Sequence, residues 1–456
     1  MIMAKKEITL QELNRKVGEM VLTTNDRDSN LEDCVNLLFP QQGERVPKLR
    51  FKGFKKEWVE ATLGELFTER IESNINGEML SVTMNNGIIK ASENGRFDNS
   101  NSDKSHYKVV KVNDIAYNSM RMWQGASGCS AYEGIVSPAY TVVTPVEGID
   151  SNFFACLFKT PAIIKKFRLH SQGLTSDTWN LKYPAFSNIS VLYPSDIEEQ
   201  KKIASFFRLL DDQIATQQQQ LERLKQMKQA CLNSLFPDNQ QFTPPRLRFK
   251  GFEGQWITMK FTEVFVFLNN NSLSRAELDV IGEVKNVHYG DVLIKYGELI
   301  DMNKEELPYI KSKTVAKSLA ADNLLQNGDV IFADAAEDNT VGKCSEIISI
   351  EEDKVVSGLH TIPCRPIKTF SEGFLGYCLN AKSFHNQLLP LIQGTKISSI
   401  SKKALMSTHI TFPDSMGEQK RIASFFRTLD EKISIQAHQV EKLMQLKKAC
   451  LNQMIA

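Results

Sequence analysis

Glu199-Gln-Lys-Lys-Ile-Ala-Ser-Phe-Phe-Arg208 opens a stretch of helix-forming residues that continues to Phe236 without a Pro or Gly. Near the end of the chain almost the same residues return as Glu418-Gln-Lys-Arg-Ile-Ala-Ser-Phe-Phe-Arg427, running on to Ile455. Aligned without a gap, residues 198–236 and 417–455 agree at 22 of 39 positions. The chain therefore contains an internal repeat and is to be read as two halves.

Within each copy the apolar residues step by threes and fours. They are Ile203, Phe206, Leu210, Ile214, Leu221, Leu224, Cys231 and Leu235 in the first, and Ile422, Phe425, Leu429, Ile433, Val440, Leu443, Cys450 and Met454 in the second. So narrow a stripe is the seam of a coiled coil, not the wide face of a globular helix. Two successive steps of four, at 206, 210, 214 and again at 425, 429, 433, act as a stutter that relaxes the supercoil. Gln217 and Gln436 hold matched seam positions, where an amide suits control of register between partner helices. At about 1.5 Å per residue each helix is roughly 55 Å long. Ser195-x-x-Glu198 and Ser415-x-x-Glu418 are available as capping boxes at the two starts.

A second repeat precedes each body. Pro47-Lys-Leu-Arg-Phe-Lys-Gly-Phe-Lys-Lys-Glu-Trp58 matches Pro245-Arg-Leu-Arg-Phe-Lys-Gly-Phe-Glu-Gly-Gln-Trp256 at 8 of 12 positions. Each half thus has one order: a lead-in motif, a variable body, then the long helix. Residues 1–45 are a polar leader with a weak helical pattern (Ile8, Leu10, Leu13, Val17, Met20), and Cys34–Pro40 echoes Cys231–Pro237. The segments expected are a leader at 1–45, a body at 46–197, a helix at 198–237, a second body at 238–416 and a last helix at 417–456.

Both bodies alternate short β-type runs with turns. Val112–Tyr117 and Asn327–Phe332 share a turn-plus-strand pattern, and Gly134–Val143 and Val355–Ile362 supply the next strand of each. One apolar helix is expected after each, over Phe153–Arg168 and Phe374–Leu391. Gln172-Gly173 and Gln393-Gly394 then mark turns, and strands ending at Pro194 and Pro413 close the bodies. The fold class is α+β.

Catalytic signatures are missing from this pattern: there is no Gly-rich cofactor loop, no phosphate-binding loop and no His-Glu-x-x-His. Pro413-Asp414-x-x-x-Glu418-x-Lys420 imitates a nuclease metal motif, but Glu418 and Lys420 begin a helix and the first copy has Pro194-Ser195 instead. The eight Cys form no C-x-x-C pair, which points to free thiols in a reducing cytoplasm. No apolar stretch approaches the ~20 residues of a membrane span. Net charge is only +1, so a nucleic-acid partner needs local basic clusters or charge from other subunits.

The positive signal is for nucleic acid. Asn118, Arg121, Trp123 and Gln124 mix amides, a base and an aromatic, and such groups read adenine and guanine edges. Gln172, Thr175, Ser176 and Lys182 follow in the first body, and Gln393, Thr395, Lys396, Ser398 and Lys402 in the second, with Lys343 as a further candidate. Hydroxyls and lysines of this kind hold phosphates and set orientation.

The whole plan resembles the specificity subunit of type I restriction–modification enzymes. Leu-Arg-Phe-Lys-Gly-Phe…Trp at each lead-in and Glu-Gln-Lys-(Lys/Arg)-Ile-Ala-Ser-Phe-Phe at each helix carry the likeness over residues 46–456. The resemblance implies two target recognition domains separated by two long helices that form an antiparallel coiled coil, related by a pseudo-two-fold. It implies a chain without catalysis or cofactor of its own that reads double-stranded DNA. Two modification subunits would bring S-adenosylmethionine-dependent methylation, and restriction subunits ATP- and Mg-dependent translocation and cleavage. A coiled-coil adaptor that binds only protein is the competing reading; it would not need divergent bodies.

Overall fold

The computed structural model describes residues 20–22, 45–47, 49–84, 86–94, 103–237, 245–394 and 396–452. The chain folds as two units, one taking the residues up to Gln219 with those from Ala437 on, the other Gln220–Gln436.

In the first unit β1 (Met20–Leu22) pairs antiparallel with β2 (Leu49–Phe51) of the lead-in motif. Met20 therefore lies on a strand, not on the helical pattern expected of it. Three apolar residues carry little intrinsic preference, and the ladder offered by β2 decides. Ile8, Leu10, Leu13, Val17 and the Cys34–Pro40 echo lie outside the described residues.

Next come β3 (Val59–Thr62), the short α1 (Leu63–Leu66) and β4 (Phe67–Glu69). The strands β5 (Leu80–Thr83), β6 (Gly87–Lys90), β7 (Lys108–Val110), β8 (Ile115–Asn118), β9 (Ser127–Cys129), β10 (Gly134–Val136) and β11 (Tyr140–Pro145) follow. The main sheet has the order β4-β11-β8-β9. The expected single helix is two, α2 (Ser151–Leu157) and α3 (Pro161–His170). Pro161 cannot extend a helix from within but suits a first position, and the Thr160 side chain caps α3 at Ile163 N. After α4 (Tyr183–Ser187), β12 (Ser190–Tyr193) pairs with β3 and so ties the end of the body to its beginning.

α5 (Ile197–Leu235) then runs for 39 residues. Its cap is Asp196, whose carboxylate accepts from Glu198 N at 2.9 Å, and not the Ser195 of the expected capping box. The repeated Glu and Gln have other work. Arg50 of the lead-in motif makes a bidentate ion pair with Glu199 (2.6 Å twice), both side chains buried. Gln200 accepts from Asp150 N (2.8 Å) and donates to Pro194 O (2.9 Å), holding the turn into α2. Removing either member of such a buried pair leaves a charge uncompensated, at a cost of about 3–5 kcal/mol.

The first turns of α5 bury a wide face: Ile203, Ala204, Phe206, Phe207, Leu209 and Leu210 enter the core with Trp58, Phe67, Phe153 and Phe154. The narrow seam expected along the whole helix begins only afterwards, since the start of α5 packs into the body. Within this unit Lys447 meets Asp211, Gln218 reaches Met444, and Leu443 and Leu446 pack on the same core. Rising numbers on one helix meet falling numbers on the other, so the two segments run antiparallel.

The second unit repeats the frame and enlarges the body. It contains β13 (Trp256–Lys260), α6 (Phe261–Val264), β14 (Phe265–Phe267), β15 (Leu278–Asp279), β16 (Lys285–Val287), α7 (Tyr289–Ile294), β17 (Leu299–Asp301), β18 (Tyr309–Ile310) and α8 (Lys313–Asp322). Then come β19 (Val330–Ala333), β20 (Ala335–Ala336), β21 (Cys344–Ile348), β22 (Val355–Ser357) and β23 (Thr361–Pro366). Five strands form the main sheet in the order β14-β23-β19-β21-β17, and β16, β18, β15 and β22 form a second.

α9 (Phe374–Asn380) and α10 (Lys382–Leu388) again divide the one helix expected, at Ala381, whose extended backbone starts α10. β24 (Ser398–Ser399), α11 (Lys402–Met406) and β25 (His409–Pro413) follow, with β25 pairing β13 as β12 pairs β3. α12 (Met416–Asn452) closes the chain. Arg248 clasps Glu418 (2.7 Å twice), and Gln419 accepts from Ser371 N and donates to Pro413 O, as in the first half. Glu418 N reaches the Ser415 hydroxyl at 3.4 Å, but the Glu418 carboxylate is spent on Arg248, so this capping box is half made. In this unit Lys228 pairs with Asp430, and Phe236 stacks on Phe426 at 6.3 Å, antiparallel once more.

The turn that starts β8 and β19 explains the matched patterns at 112–117 and 327–332. Asn113 (φ 70°) and Gly328 (φ 90°) are left-handed, a conformation suited to those residue types. Asp114 and Asp329 accept from Lys111 N and Gln326 N across the turn and are each held by one arginine, Arg70 or Arg365.

Candidate nucleic-acid interface

In the first body the chain leaves β8 at Asn118, whose side-chain oxygen accepts from Met120 N at 3.0 Å and braces the turn. Met122–Gln124 form a single 3-10 turn closed by left-handed Gly125 (φ 81°). Met122 is the buried anchor, while the Trp123 indole donates to Met120 O at 3.0 Å. From beneath, the Lys159 ammonium donates to the carbonyls of Met84, Gly125 and Ser127. Burial brings its pKa down to about 8.

A hairpin stands beside this turn. Gln172 and Asn180 exchange backbone hydrogen bonds of 2.9 and 2.8 Å. Between them Gly173 (φ 145°) lies so close to Thr178 that a Cβ would come within 2.7 Å of its carbonyl. Trp179 meets Trp123 edge-on at 5.3 Å, the Arg168 guanidinium lies 5.2 Å over Trp179, and Leu181 N donates to Ser119 O at 2.8 Å. The structure thus brings two loops, distant in sequence, into one surface. Arg121, Gln172, Thr175, Ser176 and Lys182 are exposed on it, with Asn118, Trp123 and Gln124 half-buried. Arg121 touches Gln124 only at 3.4 Å, so its donors remain available. Arg168 and Trp179 belong to the same surface and Lys159 supports it from beneath; all three were missed in the sequence, where no local pattern links them to Trp123.

The second body builds the same frame with other side chains. Gln393 and Ser399 exchange bonds of 3.0 and 2.8 Å around left-handed Gly394 (φ 101°). Ile400 N donates to Asp334 O (2.9 Å), and Asp334 N to His360 O (3.0 Å). Leu181 N bonds Ser119 O, and Ser119 N bonds Ala139 O, in the same way, so Asp334 stands where Ser119 stands. The loop onward to left-handed Gly342 (φ 85°) exposes Glu337 and Asp338 where the first body has Arg121 and Trp123.

Lys396 and Lys402 are exposed and Ser398 is half-buried in β24; Thr395 lies outside the described residues. Lys402 leans over Phe267 at 5.5 Å. Lys343 does not reach this surface. Its ammonium turns inward to Leu293 O (2.9 Å) and Tyr296 O (3.2 Å), and burial lowers its pKa. It aligns with Ala126, at the foot of the loop, and spends its donors on carbonyls at the end of α7. A cleft of about 430 Å³ opens beside the hairpin, lined by Asn270, Asn271, Ser272, Val315, Asp334 and His360 among others.

Two bodies that carry matched loops on matched frames, with unlike side chains at the tips, define a pair of recognition modules. Residues 55–226 and 255–445 each match the family described as the type I restriction modification DNA specificity domain. The chain belongs to that family and carries two of its domains: it is a specificity subunit of a type I restriction–modification system.

Among curated proteins it is similar to the type I restriction enzyme MjaVIII specificity subunit of Methanocaldococcus jannaschii, 23% identical over 362 residues, covering 75% of this chain and 78% of the relative. Its fold is shared by a chain solved for "Structural basis underlying complex assembly and conformational transition of the type I R-M system" (16% identity, TM-score 0.52, 86% of this chain and 96% of that one). It is shared equally by the type I restriction–modification S subunit from M. genitalium (14% identity, TM-score 0.52, 89% and 98%). Among the described residues no helix is long and apolar enough to cross a membrane.

Proposed function

We propose that each specificity domain reads one half of a bipartite double-stranded DNA site, and that this chain supplies sequence choice without catalysis to a larger cytoplasmic complex. Two modification subunits dock on the repeated lead-in and helix regions and bring S-adenosylmethionine-dependent adenine methylation. Restriction subunits add ATP- and Mg-dependent translocation and cleavage. The observation that carries this reading is the constant frame with variable tips: Arg121, Trp123 and the Gln172–Asn180 hairpin in one domain, Glu337, Asp338 and the Gln393–Ser399 hairpin in the other. Readout through base edges demands that tips vary, while docking demands that the frame stay the same. A net charge of +1 agrees with a reader whose phosphate contacts come largely from partners.

The test is an exchange of residues 59–197 for the corresponding body of another family member, with methylation mapped across the genome of a host expressing the complex. The first half-site changes and the second persists. Loss of both together would refute one reader per half-site. The protein-only adaptor reading predicts no DNA preference at all.

A further inference from the structure

The cleft beside the second hairpin holds an arrangement with no counterpart among the described residues of the first domain. Ser119 hydrogen-bonds Thr141 hydroxyl to hydroxyl at 2.9 Å and is sealed from solvent. At the same structural place Asp334 faces the 430 Å³ cleft, and His360 Nδ1 lies 3.1 Å from its Oδ1. Tyr289 meets this imidazole edge-on, ring to ring at 5.2 Å. Asn270 and Asn271 line the opposite side, tied to Gly358 O and to Asn286 and Ser357 O. Burial raises the Asp334 pKa, with His360 acting against it.

We propose that Asp334, oriented by His360, is a specificity-determining residue of the second domain and accepts a hydrogen bond from the exocyclic amino group of a cytosine. A carboxylate at a DNA surface repels phosphate, and its contribution is favourable where the nucleic acid offers it a donor. In the major groove the donors are adenine N6 and cytosine N4. Adenine places the N7 acceptor beside its amino group, facing the second carboxylate oxygen, whereas cytosine presents its donor alone. Carboxylates accordingly pair with cytosine and amides with adenine. Asp334 lines the cleft, its Oδ2 has no partner among the described residues, and His360 restrains the other oxygen. This assignment rests on the two-reader function proposed above.

The experiment uses the complex with its modification subunits and compares wild type with Asp334→Asn and Asp334→Ser, the latter restoring the residue of the first domain. Methylomes are mapped, and anisotropy is measured on duplexes carrying every single-pair substitution in the second half-site. Wild type is expected to lose affinity about 10- to 100-fold when one particular C·G pair is replaced. Asp334→Ser becomes indifferent at that pair and Asp334→Asn shifts toward adenine there, with the first half-site unchanged. If either folded variant keeps wild-type discrimination at every pair, Asp334 is not a reader, although the two-domain function stands. If wild type itself discriminates in only one half-site, the two-domain reading falls first. Circular dichroism establishes folding, and the serine variant covers failure of the asparagine one.

Discussion

Arg121 is exposed at the tip of a turn that is otherwise fully pinned: Met122 buried below, Trp123 bonded to Met120 O, Lys159 clamping Gly125. A rigid support makes the loss of one side chain local. Arg121→Ala should weaken cognate binding by about 1–3 kcal/mol and relax one position of the first half-site. Unchanged methylation at every site would remove Arg121 from the reading surface. Glu346 gives a residue-scale prediction about stability. It is buried, with Gly373 N and Gly376 N donating to its two oxygens at 2.7 and 2.9 Å, and burial raises its pKa from 4.5 to about 7. The native state therefore holds an extra proton between those values, and stability falls as pH rises through that window. Thermal melts from pH 5 to 8 should show this decline, on the order of 1–3 kcal/mol, and Glu346→Gln should flatten it.

At the scale of elements, the repeat conserves an ion pair between the long helices and gives it two environments. Asp211–Lys447 and Lys228–Asp430 occupy equivalent positions in the two copies. The first pair is half-exposed, Asp211 at 50% and Lys447 at 32%. Lys228 is only 16% exposed, also pairs with Glu298 and lies over Tyr377, whose hydroxyl donates to Asp430 at 2.7 Å. The same substitution should then have unequal effects. Lys447→Met is expected to cost no more than about 1 kcal/mol. Lys228→Met, which strands two carboxylates, should cost about 3–5 kcal/mol. Urea denaturation of the two variants decides, and equal losses would contradict this ranking.

For the whole molecule, α5 and α12 each contribute residues to both units, and this makes them candidates for setting the spacer between half-sites. Antiparallel partners must be lengthened together, or one of the two ion pairs is lost. A heptad inserted after Gln220 and another after Gln439 keep the seam and add about 10 Å of helix. That corresponds to roughly three base pairs at ~3.4 Å each. Methylome mapping should return both half-sites unaltered, with a spacer longer by about that amount. A fixed spacer with intact half-sites would make the helices a scaffold only.

Read alone, the sequence determined the repeat, the two long helices, the α+β bodies between them and the turns before β8 and β19. These features depend on residues within a few positions of one another: heptad spacing, an Asn or Gly at a left-handed position, an Asp two residues into a turn. Tertiary structure decided the rest. Arg50 finds Glu199 from 149 residues away, which explains why both repeated motifs travel together. Trp123 meets Trp179, and Asp334 takes the place of Ser119, through strand registers that no local pattern encodes. Lys343 looked like a surface cation and lies inward, because carbonyls at the end of α7 required a donor. Periodicity reports which face of an element is apolar; only the packing of one element on another settles which loops share a surface and which charges are left to face a ligand.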